Sequence, residues 1–281
     1  MNAIALKGII KTYPSFTLGP VSLSLPAGCI MGLVGENGAG KTTLIRSIMG
    51  ATCPNAGTAR VLGVDNQSPD FYDVKEDVGV VLDEAFFPET LSPRDIGRIM
   101  AATYRRWDDA AYQGWLTTFN LPEKQRFREF SRGMKMKLSI AVALSHAPKL
   151  LVLDEPTGGL DPVVRDEILT VFSDFAREEN HAVLMSSHIV SDLEKICDYI
   201  ACIHHGKLLL CEEKDRLLED YAVVKMSRDD LAALPKDAIH GKRETPYNIE
   251  ALVKRGKLPP HLRAEHATLE DILLFLVKEG D

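Results

Sequence analysis

Ile30-Met-Gly-Leu-Val-Gly-Glu-Asn-Gly-Ala-Gly-Lys-Thr-Thr43 decides the fold. Ile30–Val34 is a short apolar run of the kind that becomes a buried parallel strand. From Thr42 to Gly50 the pattern turns helical, with Leu44, Ile45, Ile48 and Met49 on one face and Gly50 as a stop. Between them, Gly35-Glu36-Asn37-Gly38-Ala39-Gly40-Lys41-Thr42 has the spacing GxxxxGK[ST]. Average residue frequencies produce such a match by accident in roughly one chain in a hundred of this length. The strand before it and the helix after it make an accident rarer still. Glycines let the backbone curl so that successive N–H groups face phosphate oxygens. The N-terminus of the following helix adds a partial positive charge. The loop Gly35–Thr43, Thr43 included, is therefore expected to cradle a nucleoside triphosphate. Lys41 would reach its β- and γ-phosphates and the Thr42 hydroxyl would ligate Mg²⁺.

Downstream, Leu150-Leu-Val-Leu-Asp154-Glu155 is an apolar strand ending in two carboxylates, about 110 residues after the loop. That pairing predicts Asp154 as a Mg²⁺ holder, through water, and Glu155 as the general base that polarises the attacking water. Val183-Leu-Met-Ser-Ser187 is another apolar strand, and His188 stands at its tip. In open α/β sheets ligands gather at the carboxyl ends of strands. His188 is therefore expected to sense the γ-phosphate, whereas His146, His181, His204 and His205 match no motif.

Bulk properties narrow the setting. The chain has 281 residues, an ordinary apolar share of 45% and a net charge of −7, which disfavours a broad nucleic-acid-binding face. Its five cysteines include no CxxC pair, so buried or idle thiols in a reducing cytosol are expected rather than disulfides or zinc. The N-terminus does not read as a signal peptide, and no uncharged apolar run reaches the length of a membrane span.

Strands alternating with helices argue for an α/β fold with a mostly parallel core sheet. Val21–Leu25 and Val78–Leu82 are further strand candidates. Arg94–Arg106, Asp109–Phe119 and Arg132–Ala147 have helical spacing and suggest a helical insertion over about 84–148. After about Glu212 the pattern weakens to a strand at Ala222–Met226, a Pro259-Pro260 stretch and a helix at Leu269–Val277. The predicted division is 1–215 for the main domain and 216–281 for an accessory region.

These elements alone describe a P-loop NTPase. Phe130-Ser131-Arg132-Gly133-Met134-Lys135, 19 residues before the acidic strand, resembles the LSGGQ signature of the ABC ATPase family. Gly158-Gly-Leu-Asp161-Pro162 resembles that family's D-loop, Val78–Asp83 falls at its Q-loop strand, and Tyr13 at its adenine-stacking aromatic. The resemblance covers about residues 3–215. It implies the ABC ATPase fold, with an antiparallel N-terminal β part. It also implies head-to-tail pairing of two ATPase subunits, a second copy or a paralogue. Ser131 and Gly133 of each would cap the ATP of the other, with Asp161 near the crossing point.

FSRGMK and the acidic Q-loop are similar to bacterial exporter ATPases whose permease is a separate chain. The implied setting is cytoplasmic, peripheral on the inner face of the cell membrane, with no nucleic-acid partner. Three positions depart from the family pattern: Arg132 for Gly, Met134 for Gln, and Asp83, followed by Glu84, for Gln. Asp83 reads either as a further Mg²⁺ ligand or as a loop acid facing solvent. Ala85-Phe-Phe-Pro88, with Leu91, reads either as a docking site for the permease or as packing within the helical insertion. The alternative function is a soluble ABC ATPase acting on DNA or ribosomes. The 90 residues from Lys41 to Ser131 leave no room for the long coiled coil of the DNA-acting types. The ribosome-acting types carry two ATPase domains, and this chain has one phosphate loop.

Overall fold

The computed structural model describes residues 1–83, 87–244 and 248–280. Strands β1 (Asn2–Tyr13) and β2 (Phe16–Pro26) form a hairpin, and β3 (Ile30–Val34) leads into the Gly-rich loop. Helix α1 (Lys41–Ile48), strands β4 (Ala56–Val61) and β5 (Val64–Asp65), the short helix α2 (Phe71–Val74) and strand β6 (Val78–Val81) follow. Helices α3 (Pro93–Thr103), α4 (Asp109–Thr118) and α5 (Arg132–Leu144) occupy the stretch read as a helical insertion. Alternation then resumes with β7 (Leu150–Asp154), α6 (Pro162–Ala176), β8 (Ala182–Ser187), α7 (Val190–Ile196) and β9 (Tyr199–His204), which β10 (Lys207–Glu213) follows directly. The C-terminal part holds α8 (Lys214–Asp220), β11 (Tyr221–Met226), α9 (Arg228–Ala233), β12 (Ile239–Glu244), β13 (Ile249–Lys254), β14 (Ala264–His266) and α10 (Leu269–Gly280).

The central sheet runs β10-β9-β3-β8-β7-β6, and all its neighbouring pairs are parallel except β9 with β10. Period-two alternation splits its side chains between two cores. Met31, Leu33, Leu150, Val152, Leu184 and Ile203 face one way, onto α1 and the antiparallel sheet β2-β1-β4-β5. Ile30, Val34, Leu151, Leu153, Val183 and Met185 face the other way, onto α5, α6 and α7. Every residue of β3, β7 and β8 is buried, which is why these strands read as unbroken apolar runs rather than as alternating ones.

The C-terminal part is a second antiparallel sheet, β12-β13-β11-β14. Its strand at Tyr221–Met226 and its helix α10 match the sequence expectation; the other three strands do not announce themselves in the sequence. Leu252 and Val223 of this sheet, with Leu269, Ile272 and Phe275 of α10, join the same apolar cluster as Leu193 and Ile200. The appendage is thus packed onto the main body. Among the described residues no helix is long and apolar enough to cross a membrane, and all five cysteines are free.

Candidate functional site

Parallel pairing brings the carboxyl ends of β3, β6, β7 and β8 to one edge of the sheet. Gly35, Asp83, Asp154-Glu155 and His188 leave from those ends in turn. A cavity of about 250 Å³ opens there, lined by Phe16, Glu36, Asn37, Gly38, Gly40, Lys41, Thr42, Thr43, Asp83, Asp154 and Glu155. The sequence-predicted loop, the Mg²⁺ candidates and the general-base candidate are therefore neighbours in space.

The loop's glycines are required by its shape. Gly38 and Gly40 have φ of 83° and 115°, in the left-handed region that L-residues avoid. A Cβ on Gly40 would stand 2.9 Å from both Leu18 and Phe16, and one on Gly35 would stand 2.2 Å from the Ile203 carbonyl oxygen. Lys41 is only 6% exposed. Its Nζ donates to the Gly35 carbonyl at 2.7 Å and the Glu36 carbonyl at 3.2 Å, so the ammonium is folded back into its own loop.

Buried Ser186 and exposed His188 organise the carboxylates. The Ser186 hydroxyl donates to Asp154 Oδ1 at 2.6 Å and accepts from the Glu155 backbone N–H at 2.9 Å. The chain then turns sharply, because Glu155 has φ of 51°, a conformation that costs a non-glycine residue about 1–3 kcal/mol. That turn aims the Glu155 carboxylate at His188. Oε2 lies 2.7 Å from His188 Nδ1 and accepts from the His188 backbone N–H at 3.3 Å. Oε1 forms an ion pair with Lys41 Nζ at 3.2 Å without making a hydrogen bond.

The donor set fits a hard divalent cation. Thr42, Asp83 and Asp154 offer only oxygen, as Mg²⁺ requires. Among the described residues no group of three or more His, Cys, Asp or Glu forms a ready metal site.

A second cavity of about 290 Å³ lies elsewhere on the chain, lined by Phe119, Ser131, Arg132, Gly133, Met134, Lys137, Gly159, Leu160, Asp161 and Val164. Ser131 caps α5 by accepting from the Met134 N–H at 3.3 Å. Asp161 caps α6, its Oδ1 accepting from the N–H groups of Val163 and Val164 at 3.1 and 3.0 Å. Ser131, Gly133 and Asp161 thus meet one another but do not line the cavity that holds Lys41 and Glu155.

The ABC transporter family model matches residues 18–158, half of the chain. The chain belongs to the ABC transporter family. The bacitracin transport ATP-binding protein BcrA of Enterococcus faecalis is 33% identical over 73% of this chain and 68% of its own length. The lantibiotic transport ATP-binding protein SrtF of Streptococcus pyogenes is 31% identical over 75% of this chain and 91% of its own. A solved ATP-binding subunit of an ABC transporter is 26% identical, covers 76% of this chain and 91% of its own, and superposes with a TM-score of 0.67. This ABC subunit is an ATP-binding, ATP-hydrolysing α/β protein, with the central sheet, N-terminal β part and helical insertion of its family.

In the ABC subunit two of the expectations concern aromatic side chains. Tyr13, expected against the adenine, does not line the loop cavity; it stands at the end of β1, 39% exposed, with Lys11 Nζ 5.5 Å from its ring centre. Phe16, its partner across the hairpin, is the aromatic in the cavity wall. Phe87 packs edge-on against Phe127, ring centres 5.7 Å apart, and Leu91 joins the same core, which favours the packing reading over the docking one. Glu84, Ala85 and Phe86 lie outside the described residues. Ser186 escaped the sequence reading, although two serines closing an otherwise apolar strand were a signal of a polar task there.

Proposed function

We propose that this chain is the motor of an exporter, driving a separate transmembrane permease from the cytoplasmic face of the membrane through ATP-dependent head-to-tail pairing of two ATPase subunits. One observation carries the reading. The signature and D-loop residues Ser131, Gly133 and Asp161 form their own cavity, apart from the one lined by Lys41, Asp154 and Glu155. A helix N-terminus that offers N–H groups to an anion, yet does not line the cavity of the chain's own phosphate loop, suits a nucleotide held by another subunit. The relatives named for bacitracin and lantibiotic transport favour a peptide antibiotic as cargo.

The chain's residues divide the work as follows. The loop N–H groups hold the phosphates, and Lys41 leaves Glu155 for the β- and γ-phosphates. Thr42 and Asp154 would hold Mg²⁺, with Asp83 as the further oxygen. When bound, Mg²⁺ neutralises charge on the phosphate oxygens. Glu155, oriented by His188, accepts a proton from water as its oxygen attacks the γ-phosphorus and the bond to the bridging oxygen of ADP breaks. Loss of the γ-phosphate removes contacts that favour the paired state, so the pair loosens. Residues 216–281 form the accessory region.

The test is light scattering after size exclusion of the Glu155→Gln protein with and without Mg·ATP. A shift from monomer to dimer with ATP supports the shared site. A monomer at every ATP concentration, with binding confirmed, rejects pairing of two copies and assigns the second signature to a paralogue.

A further inference from the structure

Two of the positions that depart from the family pattern meet in this chain. Arg132, the first residue of α5, donates from Nη2 to Asp83 Oδ1 at 2.9 Å. On its other side the guanidinium lies against the turn that follows Glu155. A Cβ on Gly159 would stand 3.0 Å from Arg132 Nη1, and one on Gly158 would stand 3.7 Å from Nη2. Arg132 therefore lies between Asp83, two residues past β6, and the glycines Gly158 and Gly159.

The location gives the pair its consequence. Both side chains are about half exposed, 56% and 50%, and a surface pair of this kind adds little to stability. Asp83, however, lines the cavity in which Gly38, Gly40 and Lys41 are arranged for phosphates. An unpaired carboxylate in that wall repels a polyanion, and a neutral side chain would not. A guanidinium at 2.9 Å cancels most of that field and fixes where the carboxylate stands.

We propose that Arg132 is a positioning residue for Asp83, masking the carboxylate toward nucleotide phosphates and holding it at the cavity wall for the divalent cation that accompanies them. The proposal rests on the reading of this cavity as the ATP site. It ties the N-terminus of the signature helix to the wall of the nucleotide cavity of the same subunit, so that a cation drawn to Asp83 competes with Arg132.

The experiment is a double-mutant cycle on the full chain, with binding of a fluorescent N-methylanthraniloyl ATP measured in EDTA and again in Mg²⁺. In EDTA, Arg132→Ala is expected to weaken binding about three- to fivefold, the upper part of the range of an exposed ion pair. In the Asp83→Asn background the same substitution is expected to change binding by less than about twofold, since nothing remains to mask. In Mg²⁺ the deficit of Arg132→Ala shrinks, because the cation takes over the carboxylate. An equal loss in both backgrounds overturns the proposal and assigns Arg132 a direct or purely structural effect. No loss from Arg132→Ala alone also overturns it. Failure of the unaltered protein to bind the nucleotide would instead remove the ATP-site reading, and this inference with it.

Discussion

Glu155 and His188 share a short contact, Oε2 to Nδ1 at 2.7 Å, in which the exposed imidazole holds the carboxylate that faces Lys41 from its other oxygen. Glu155 is thereby fixed at three points, counting the His188 backbone N–H. The two contacts to His188 remain when Lys41 turns to the phosphates, so the base keeps its orientation as substrate arrives.

Glu155→Gln keeps the size of the side chain and one acceptor oxygen but removes its ability to take a proton. ATP binding should persist while steady-state ATPase turnover falls by about 10²–10⁴. His188→Ala leaves the carboxylate intact but frees it to rotate, and should lower turnover by about a hundredfold with little change in ATP affinity. Phosphate-release assays, paired with equilibrium nucleotide binding, separate the two quantities. Turnover near that of the unaltered protein in Glu155→Gln would remove the base from this position.

Lys41 makes its contacts to the loop carbonyls and to Glu155, and these are the contacts that phosphates would replace. Its loss should therefore appear in affinity. Charge-assisted hydrogen bonds contribute about 1.5–3 kcal/mol, so Lys41→Ala should weaken ATP binding roughly 10- to 100-fold. Gly40→Ala should weaken it as well, because its new methyl meets Phe16 and Leu18 at 2.9 Å in a backbone conformation an alanine resists. Calorimetric titration reads both; an unchanged dissociation constant in Lys41→Ala would place the phosphates elsewhere.

The parts of this site that were legible in the sequence are those whose chemistry and backbone demand coincide locally. Gly35 to Thr42 must be read as a unit because the φ values of Gly38 and Gly40 leave few residue choices. Asp154 and Glu155 were legible because two acids closing an apolar strand follow the phosphate loop by about 110 residues. Phe16, Ser186 and the Arg132–Asp83 contact were not. Each depends on which strands and loops become neighbours, and Arg132 and Asp83 stand 49 residues apart in the chain. The C-terminal sheet was faint for another reason. Its strands carry Lys242, Arg243 and Glu244 in a row, and Ala264–His266 is only three residues long, so neither shows a clean apolar period.

Ser186 is wholly buried and serves two neighbours, the Asp154 carboxylate and the Glu155 N–H. Ser186→Ala leaves an acceptor and a donor without that partner and adds no bulk. The expected cost is about 1–3 kcal/mol of folding stability, visible as a lower urea midpoint with an unchanged slope. Turnover should fall as well, since the peptide that aims Glu155 loses its anchor. Unaltered stability would mean that water replaces the hydroxyl fully.

His146 gives the fold a pH dependence of its own, away from the nucleotide cavity. It is buried at the C-terminal end of α5, stacked on Tyr104 with ring centres 4.0 Å apart and planes 4° from parallel. Nδ1 lies 3.1 Å from the Glu76 carbonyl oxygen, and Nε2 has no hydrogen-bond partner. Burial pushes its pKa down from the usual histidine value, with the Glu76 carbonyl opposing. The folded state therefore holds the ring neutral at pH values where the unfolded chain already binds a proton. Where the unfolded state binds more protons, stability rises with pH. This contribution is complete above the unfolded value of about 6.5 and is lost as the pH falls below it. His146→Phe keeps the stacking on Tyr104 and removes the titration. Urea midpoints measured at pH 7.5 and 5.5 should fall less in His146→Phe than in the unaltered protein. An equal fall in both would mean that other groups carry the acid sensitivity and that His146 does not contribute to it.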